Sequence, residues 1–265
     1  MKEIQSMFMG SKNALLWMLA RLSSWAITKH EMKLLVVAGR HGTKLTGELL
    51  ADMLSPDLVI RRQLEMPFWE YSIPLAILGF EDRRYTPVEW SVIILRTVFR
   101  LLFRGKNPTW TILQINTYMY EILHYWVNVI SPGILVLVHP DPEDQELELH
   151  LIRKTKKYVI APVCMDFSPS FVQDGTVIYR YGNEDDADIR IVRFDDRENG
   201  TAIQIYGNLV KEKTNFFVFQ RGLFIREPLV AAITVLFALS FSLEEISEKL
   251  RQIQIDLERF IFTAP

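Results

Sequence analysis

The chain has 265 residues, 49% of them hydrophobic and 23% charged, with a formal net charge of −2. A chain of this length buries a full core without covalent staples, and its near-neutral charge argues against a nucleic-acid partner. The single cysteine, Cys164, excludes an internal disulfide and fits a reducing compartment such as the cytoplasm.

The first patterned stretch, 14–28 (ALLWMLARLSSWAIT), is interrupted by Arg21, Ser23 and Ser24. A transmembrane span takes about 20 apolar residues, so neither this stretch nor 229–241 (LVAAITVLFALSF) predicts a crossing. Leu15, Met18, Leu19, Leu22 and Trp25 share one side at helical spacing, which predicts a helix packed on protein. Peripheral contact with a membrane surface is the alternative for that helix.

Residues 33–38 (KLLVVA) predict a strand buried on both faces, followed by a glycine turn. A helix follows over 43–54, with Leu45, Leu49, Leu50, Met53 and Leu54 on its apolar side and Pro56 beyond its end. DLVIRR (57–62) is a second strand, and 87–104 a long helix opened by Pro87 and closed by Gly105. Arg96, Arg100 and Arg104 recur every four residues along it and are read as a solvated face, with an acid-binding stripe as the alternative. WTILQIN (110–116) is a third strand, 118–130 a helix, and ILVLV (134–138) a fourth strand. Beyond 157 come short β-rich runs, YVIAPV, TVIYRY, DIRIVRF, TAIQIYG and NFFVFQ, read as an antiparallel extension. Pro228 opens a helix, and Ser242 with Glu245 forms a capping-box pattern before another. The acidic loops 141–144 (DPED) and 183–188 (NEDDAD) are read as solvated, with cation binding as the alternative.

Strands alternating with helix-sized segments imply βαβ units. The fold class is therefore α/β: three layers, a mostly parallel sheet, a P-loop-like strand–turn–helix and the antiparallel extension. That strand–turn–helix, VVAGRHGTKLT (36–46), has the geometry of an anion site, because free N–H groups and the helix dipole face the turn. Gly39 and Gly42 would let a phosphate approach, Lys44 would add charge, and Thr43 or Thr46 would offer a hydroxyl to magnesium. A solvated lysine at an ordinary turn is the alternative.

Residues 34–54, LLVVAGRHGTKLTGELLADML, resemble the nucleotide loop of the Mur ligases, whose loop reads Gly-Thr-Asn-Gly-Lys-Thr-Thr before a leucine-rich helix. The resemblance continues in order through SIPLAILGFED (72–82), NPTWTILQIN (107–116), ISPGILVLVHPDPED (130–144), VIYRYGNEDDADIRI (177–191) and GLFIREPLVAAITVLFALSFSLEEISEKL (222–250). It is closest to the central, ATP-binding domain of the member that adds D-alanyl-D-alanine to a peptidoglycan precursor. It implies an N-terminal helical segment (1–32) and a Mur-ligase-like domain (33–265), with the family's N-terminal and C-terminal domains absent. It also implies a nucleotide site at Gly39, Arg40, His41, Gly42, Thr43, Lys44, Leu45 and Thr46, with ATP and Mg2+ as cofactors if that site works. Gln114 and Asp144 fall where the family holds its metal.

The departures converge on that site. Gly42-Thr43-Lys44 replaces Gly-Lys-Thr, so the lysine starts about 100° around the helix from its usual azimuth. Gln114 replaces a metal-binding glutamate, Pro228 a nucleotide-contacting asparagine, and Phe224 the histidine before it. Three readings follow: an ATP-dependent amide ligase domain completed in trans by a protein supplying the missing domains, a degenerate non-catalytic scaffold, or a nucleotide or anion binder without hydrolysis. In the first, Asp144 with a water shell would hold the magnesium, and a peptidoglycan precursor would be the substrate. The pattern of losses favours impaired or lost catalysis.

Overall fold

The apolar run after residue 33 becomes the middle of the sheet. The strands are β1 (Lys33–Gly39), β2 (Ile60–Arg62), β3 (Trp110–Asn116), β4 (Ile134–Leu137), β5 (Tyr158–Pro162), β6 (Val177–Gly182), β7 (Ile189–Arg197), β8 (Gly200–Tyr206) and β9 (Thr214–Val218). They form a single sheet in the order β2-β3-β1-β4-β5-β6-β7-β8-β9. This is a computed structural model, and it describes residues 2–63, 67, 69–105, 109–117, 120–140, 146–219 and 222–253. β1 runs parallel to both of its neighbours, β3 and β4. Leu35 and Val37 point into one core cluster, while Leu34, Val36 and Ala38 point into the other. A strand covered on both faces has no polar side, which is why its sequence lacks alternation.

The sequence places the antiparallel extension too early. β5 pairs in parallel with β4, and β6 in parallel with β5, and antiparallel pairing begins only between β7 and β8. Parallel neighbours need only a crossover of about a dozen residues, which 163–176 supplies without an α-helix. β7 overlaps β6 only at Tyr181↔Ile189 and Gly182↔Arg190 and runs on in the same direction, so six-residue spacing suffices there.

The helices are α1 (Lys2–Lys29), α2 (Thr43–Leu54), α3 (Ser72–Leu78), α4 (Pro87–Phe103), α5 (Tyr120–Val129), α6 (Glu146–Lys154), α7 (Arg226–Ala238) and α8 (Leu243–Gln252). α2, α7 and α8 cover one face of the sheet, with Leu49, Leu50, Ile233, Leu236, Ile246 and Leu250 in its core. The other five helices cover the second face, through residues such as Leu19, Ile73, Leu101, Trp126 and Ile152. α3 and α6 are absent from the sequence reading. α3 ends on Gly79 in the left-handed conformation, and α6 carries Glu146 and Glu148 in its first turn with Arg153 and Lys154 in its last. These charges match the helix dipole at both ends, a signal the sequence did contain. Lys249 ties α8 to α2 by donating to the Met53 carbonyl at 2.9 Å and pairing with Asp57.

α4 qualifies one further expectation. Its cap is as read, with Pro87 at the first turn and a Thr86–Glu89 capping box. Arg96 and Arg104 are exposed, as a solvated face requires, but the surface beside them is apolar: Val88, Val92, Leu95, Phe99, Leu102 and Phe103 are each more than half exposed. Arg100 turns away from that face and lies over the Phe80 ring, 5.5 Å from its centre. No helix among the described residues is long and apolar enough to cross a membrane.

Candidate functional site

β1 has β3 on one side and β4 on the other, so its carboxyl end opens where the strand order reverses. Open α/β sheets take ligands at such a crevice. The turn that leaves β1 is fixed from both sides. Arg40 N–H donates to the His139 carbonyl at 3.0 Å, and Thr117 N–H donates to the Gly39 carbonyl at 3.1 Å. Gly39 has φ 152°, and a Cβ there would lie 1.7 Å from the Val138 carbonyl oxygen. That glycine is required by the neighbouring strand, whatever binds. Gly42 starts α2 in the left-handed conformation, with φ 74° and no side-chain cap. Val138 Cγ1 and Pro228 Cγ each come within 3.2 Å of where its Cβ would be.

Around this turn the eight predicted loop residues divide. Thr43, Leu45 and Thr46 are buried, with Leu45 inside the core cluster that joins α2 to the sheet. The Thr46 hydroxyl donates to the Gly42 carbonyl at 2.9 Å, a bond within the helix. Arg40 and Lys44 are half-buried, and His41 is exposed. Thr43, standing where the resemblance implies a lysine, is 3% exposed.

Two residues that sequence reasoning missed complete the surround. His139 follows β4 with φ 45°, and its Nε2 lies 3.0 Å from a Glu227 carboxylate oxygen. Its Nδ1 lies 3.6 Å from the position a Gly42 Cβ would take. The hydrogen bond to Glu227 holds the His139 pKa above the usual histidine range, against the opposing effect of burial. Glu227 precedes Pro228 at the start of α7, so this one helix end brings both a carboxylate and a ring to the turn. The available signal was position alone, since His139 directly follows a buried strand at the switch point.

The predicted metal residues give no cation site among the described residues. Gln114 is 1% exposed on β3 and packs beneath α2, where a Cβ on Gly47 would lie 2.6 Å from its Nε2. Its Oε1 has no hydrogen-bond partner among the described residues. Asp144 lies outside the described residues. Among the described residues no group of three or more His, Cys, Asp or Glu side chains gathers as a cation site. A buried neutral amide facing a helix backbone does not fit the oxygen-rich, partly hydrated shell that magnesium takes.

No protein-family model matches the sequence, and no curated protein matches it either. Solved structures do match. MurF from Acinetobacter baumannii superposes with a TM-score of 0.67 at 15% identity, over 91% of this chain and 50% of that one. The fold is that of a Mur ligase. MurF ligase from Thermotoga maritima, solved in complex with ADP, matches at TM-score 0.63 and 15% identity, over 91% of this chain and 52% of that one. The Mur-ligase-like fold extends to a pseudomurein peptide ligase type C from Methanothermus fervidus, at TM-score 0.54 and 16% identity, over 86% of this chain and 50% of that one. The chain spans about half the length of the MurF structures it matches. Within the Mur-ligase-like fold, Gly39–Thr46 occupies the turn after the central strand, and His139, Glu227 and Pro228 are what this chain places against it.

Proposed function

We propose that the chain is a Mur-ligase-like domain that has lost ATP-dependent amide ligation and serves as a non-catalytic module. The observation that carries this is the packing of Val138, Pro228 and His139, itself paired with Glu227, around Gly42 of the turn. A phosphate arriving there meets a carboxylate whose charge is offset only while His139 is protonated. The burial of Gln114 against Gly47 supports the same reading, because it removes a side chain from the place the resemblance implies for a metal ligand. The peptidoglycan-precursor chemistry that the sequence resemblance implies is read as ancestral, and no reaction step is assigned to this chain. A second reading keeps nucleotide binding without hydrolysis. It is favoured by the uncapped start of α2 at Gly42 and by Lys44 on its first turn.

Calorimetric titration with ATP, with and without Mg2+, tests both. The expected result is no saturable binding at millimolar ATP in either condition. Micromolar binding that requires Mg2+ and disappears in Lys44→Ala overturns the loss of function. Metal-independent binding that disappears in Lys44→Ala selects the second reading.

A further inference from the structure

At the opposite end of the sheet from the turn, about 20 Å away along β1, lies a cavity of about 80 Å³. Its ionisable lining is wholly basic: Arg61 from β2, Arg100 and Arg104 from α4 and its C-terminal cap, and His30 just beyond α1, with Thr97 and Thr109 as neutral polar neighbours. No carboxylate lines it among the described residues. Two of the arginines are held in place by other contacts. Arg61 donates to the Ile77 carbonyl at 2.6 Å, capping α3, and Arg100 lies over Phe80. One arginine therefore comes from a strand and two from a helix, converging from different elements. The His30 Nδ1 is buried and has no hydrogen-bond partner among the described residues.

Like charges gathered in a partly desolvated pocket oppose one another. Burial lowers the pKa of Arg61. Burial, then Arg96, Arg104 and Arg61, lower that of Arg100. His30 is lowered by burial, then by its chain neighbour Lys29 and by Arg61 and Arg104 across the pocket, with only the Gly105 carbonyl opposing. An anion would offset each of these effects. Guanidinium forks match phosphate oxygens two at a time, and each carries five donors. One water needs about 10–15 Å³ of such space, so the cavity takes several waters' worth, the size of a tetrahedral oxyanion and too small for a nucleotide.

We propose that this pocket binds a phosphate group, either as the free ion or as the end of a small phosphomonoester. Its arginines are the same 100 and 104 whose spacing the sequence left open as an acid-binding stripe. The proposal is independent of the Gly39–Thr46 turn.

The test is a titration of the full chain with inorganic phosphate, glycerol phosphate and sulfate at constant ionic strength, balanced with chloride. The expected result is saturable millimolar or tighter binding, weakened about tenfold in Arg104→Gln, the effect of one charge-assisted contact. Arg104 is exposed, so that variant folds; Arg100→Gln gives the second measurement, with circular dichroism reporting the fold. Lys44→Ala leaves the affinity unchanged. Tighter binding of glycerol phosphate than of inorganic phosphate assigns the site to an ester, and the reverse to the free ion. Sulfate, which does not titrate in this range, binds more tightly as pH falls from about 8 to about 5.5, because protonated His30 adds a charge, and His30→Asn flattens that slope. No saturable binding by about 20 mM, near the weakest affinity worth calling a site, overturns the proposal. So does binding that survives both arginine variants, or that is lost in Lys44→Ala.

Discussion

Replacing Gly47 by alanine asks whether Gln114 is a packing group or a ligand waiting for a metal. Gly47 lies inside α2, and a new Cβ would sit 2.6 Å from Gln114 Nε2, 2.9 Å from its Cγ and 3.0 Å from its Cδ. Alanine in place of glycine gains about 1 kcal/mol of helix propensity. Forcing a methyl into a filled core costs about 1–3 kcal/mol. Gln114 is 1% exposed, so its side chain has no solvent to retreat into. The single variant Gly47→Ala is therefore expected to be less stable by about 0–2 kcal/mol, the difference of those two effects. In a Gln114→Ala background the methyl enters vacated space, and the same change is expected to stabilise by about 1 kcal/mol. The coupling between the two positions is then about 1–3 kcal/mol. Urea denaturation of the four proteins in the cycle measures it, through midpoints at unchanged slope. If the two changes add to within about 0.5 kcal/mol, the amide does not pack on the helix and the argument against a ligand role for Gln114 fails.

Two further outcomes follow from the same end of the sheet. The folded pKa of His139 is raised above 6.5 by Glu227, so the pair's contribution is fully present below pH 6.5 and is lost as pH rises through the folded pKa. Both side chains are about 40% exposed, 41% and 43%, so solvent screening limits the effect to at most about 1 kcal/mol. Glu227→Gln should thus melt below the parent at about pH 6 and with it at about pH 9; a gap that does not change with pH refutes the pairing. Gly39→Ala should cost more than about 4 kcal/mol, because its methyl overlaps the Val138 carbonyl at positive φ, or prevent folding. Gly105→Ala meets nothing within 4 Å and is expected to change stability by less than about 1 kcal/mol, so equal behaviour of the two variants would sink the steric argument.

The sequence was most legible where one physical signal dominated. The bounds of α2 and β3, the Ser242–Glu245 capping box and the glycine turn at 39–42 all stand where local chemistry places them. The direction of β5 and β6 was not legible, because short β-rich runs look alike in parallel and antiparallel partners. The outward face of α4 was hidden for a related reason. Valine, leucine and phenylalanine on every side of a helix leave the buried side unmarked, and the arginine spacing carries no signal of the apolar residues exposed beside it. At the candidate site, the turn itself was readable but its surround was not. His139 and Glu227 approach it from distant parts of the chain, and only the sheet order brings them there.

The contact between Gly39 and the Val138 carbonyl bears on how such a loop persists. A residue that two strand ends need in order to lie side by side is maintained by selection for folding alone. Its presence then carries no information about whether a ligand still arrives. A glycine signature of this kind can outlast the chemistry it once accompanied, and a reader of genomes who counts glycines will continue to see an active loop.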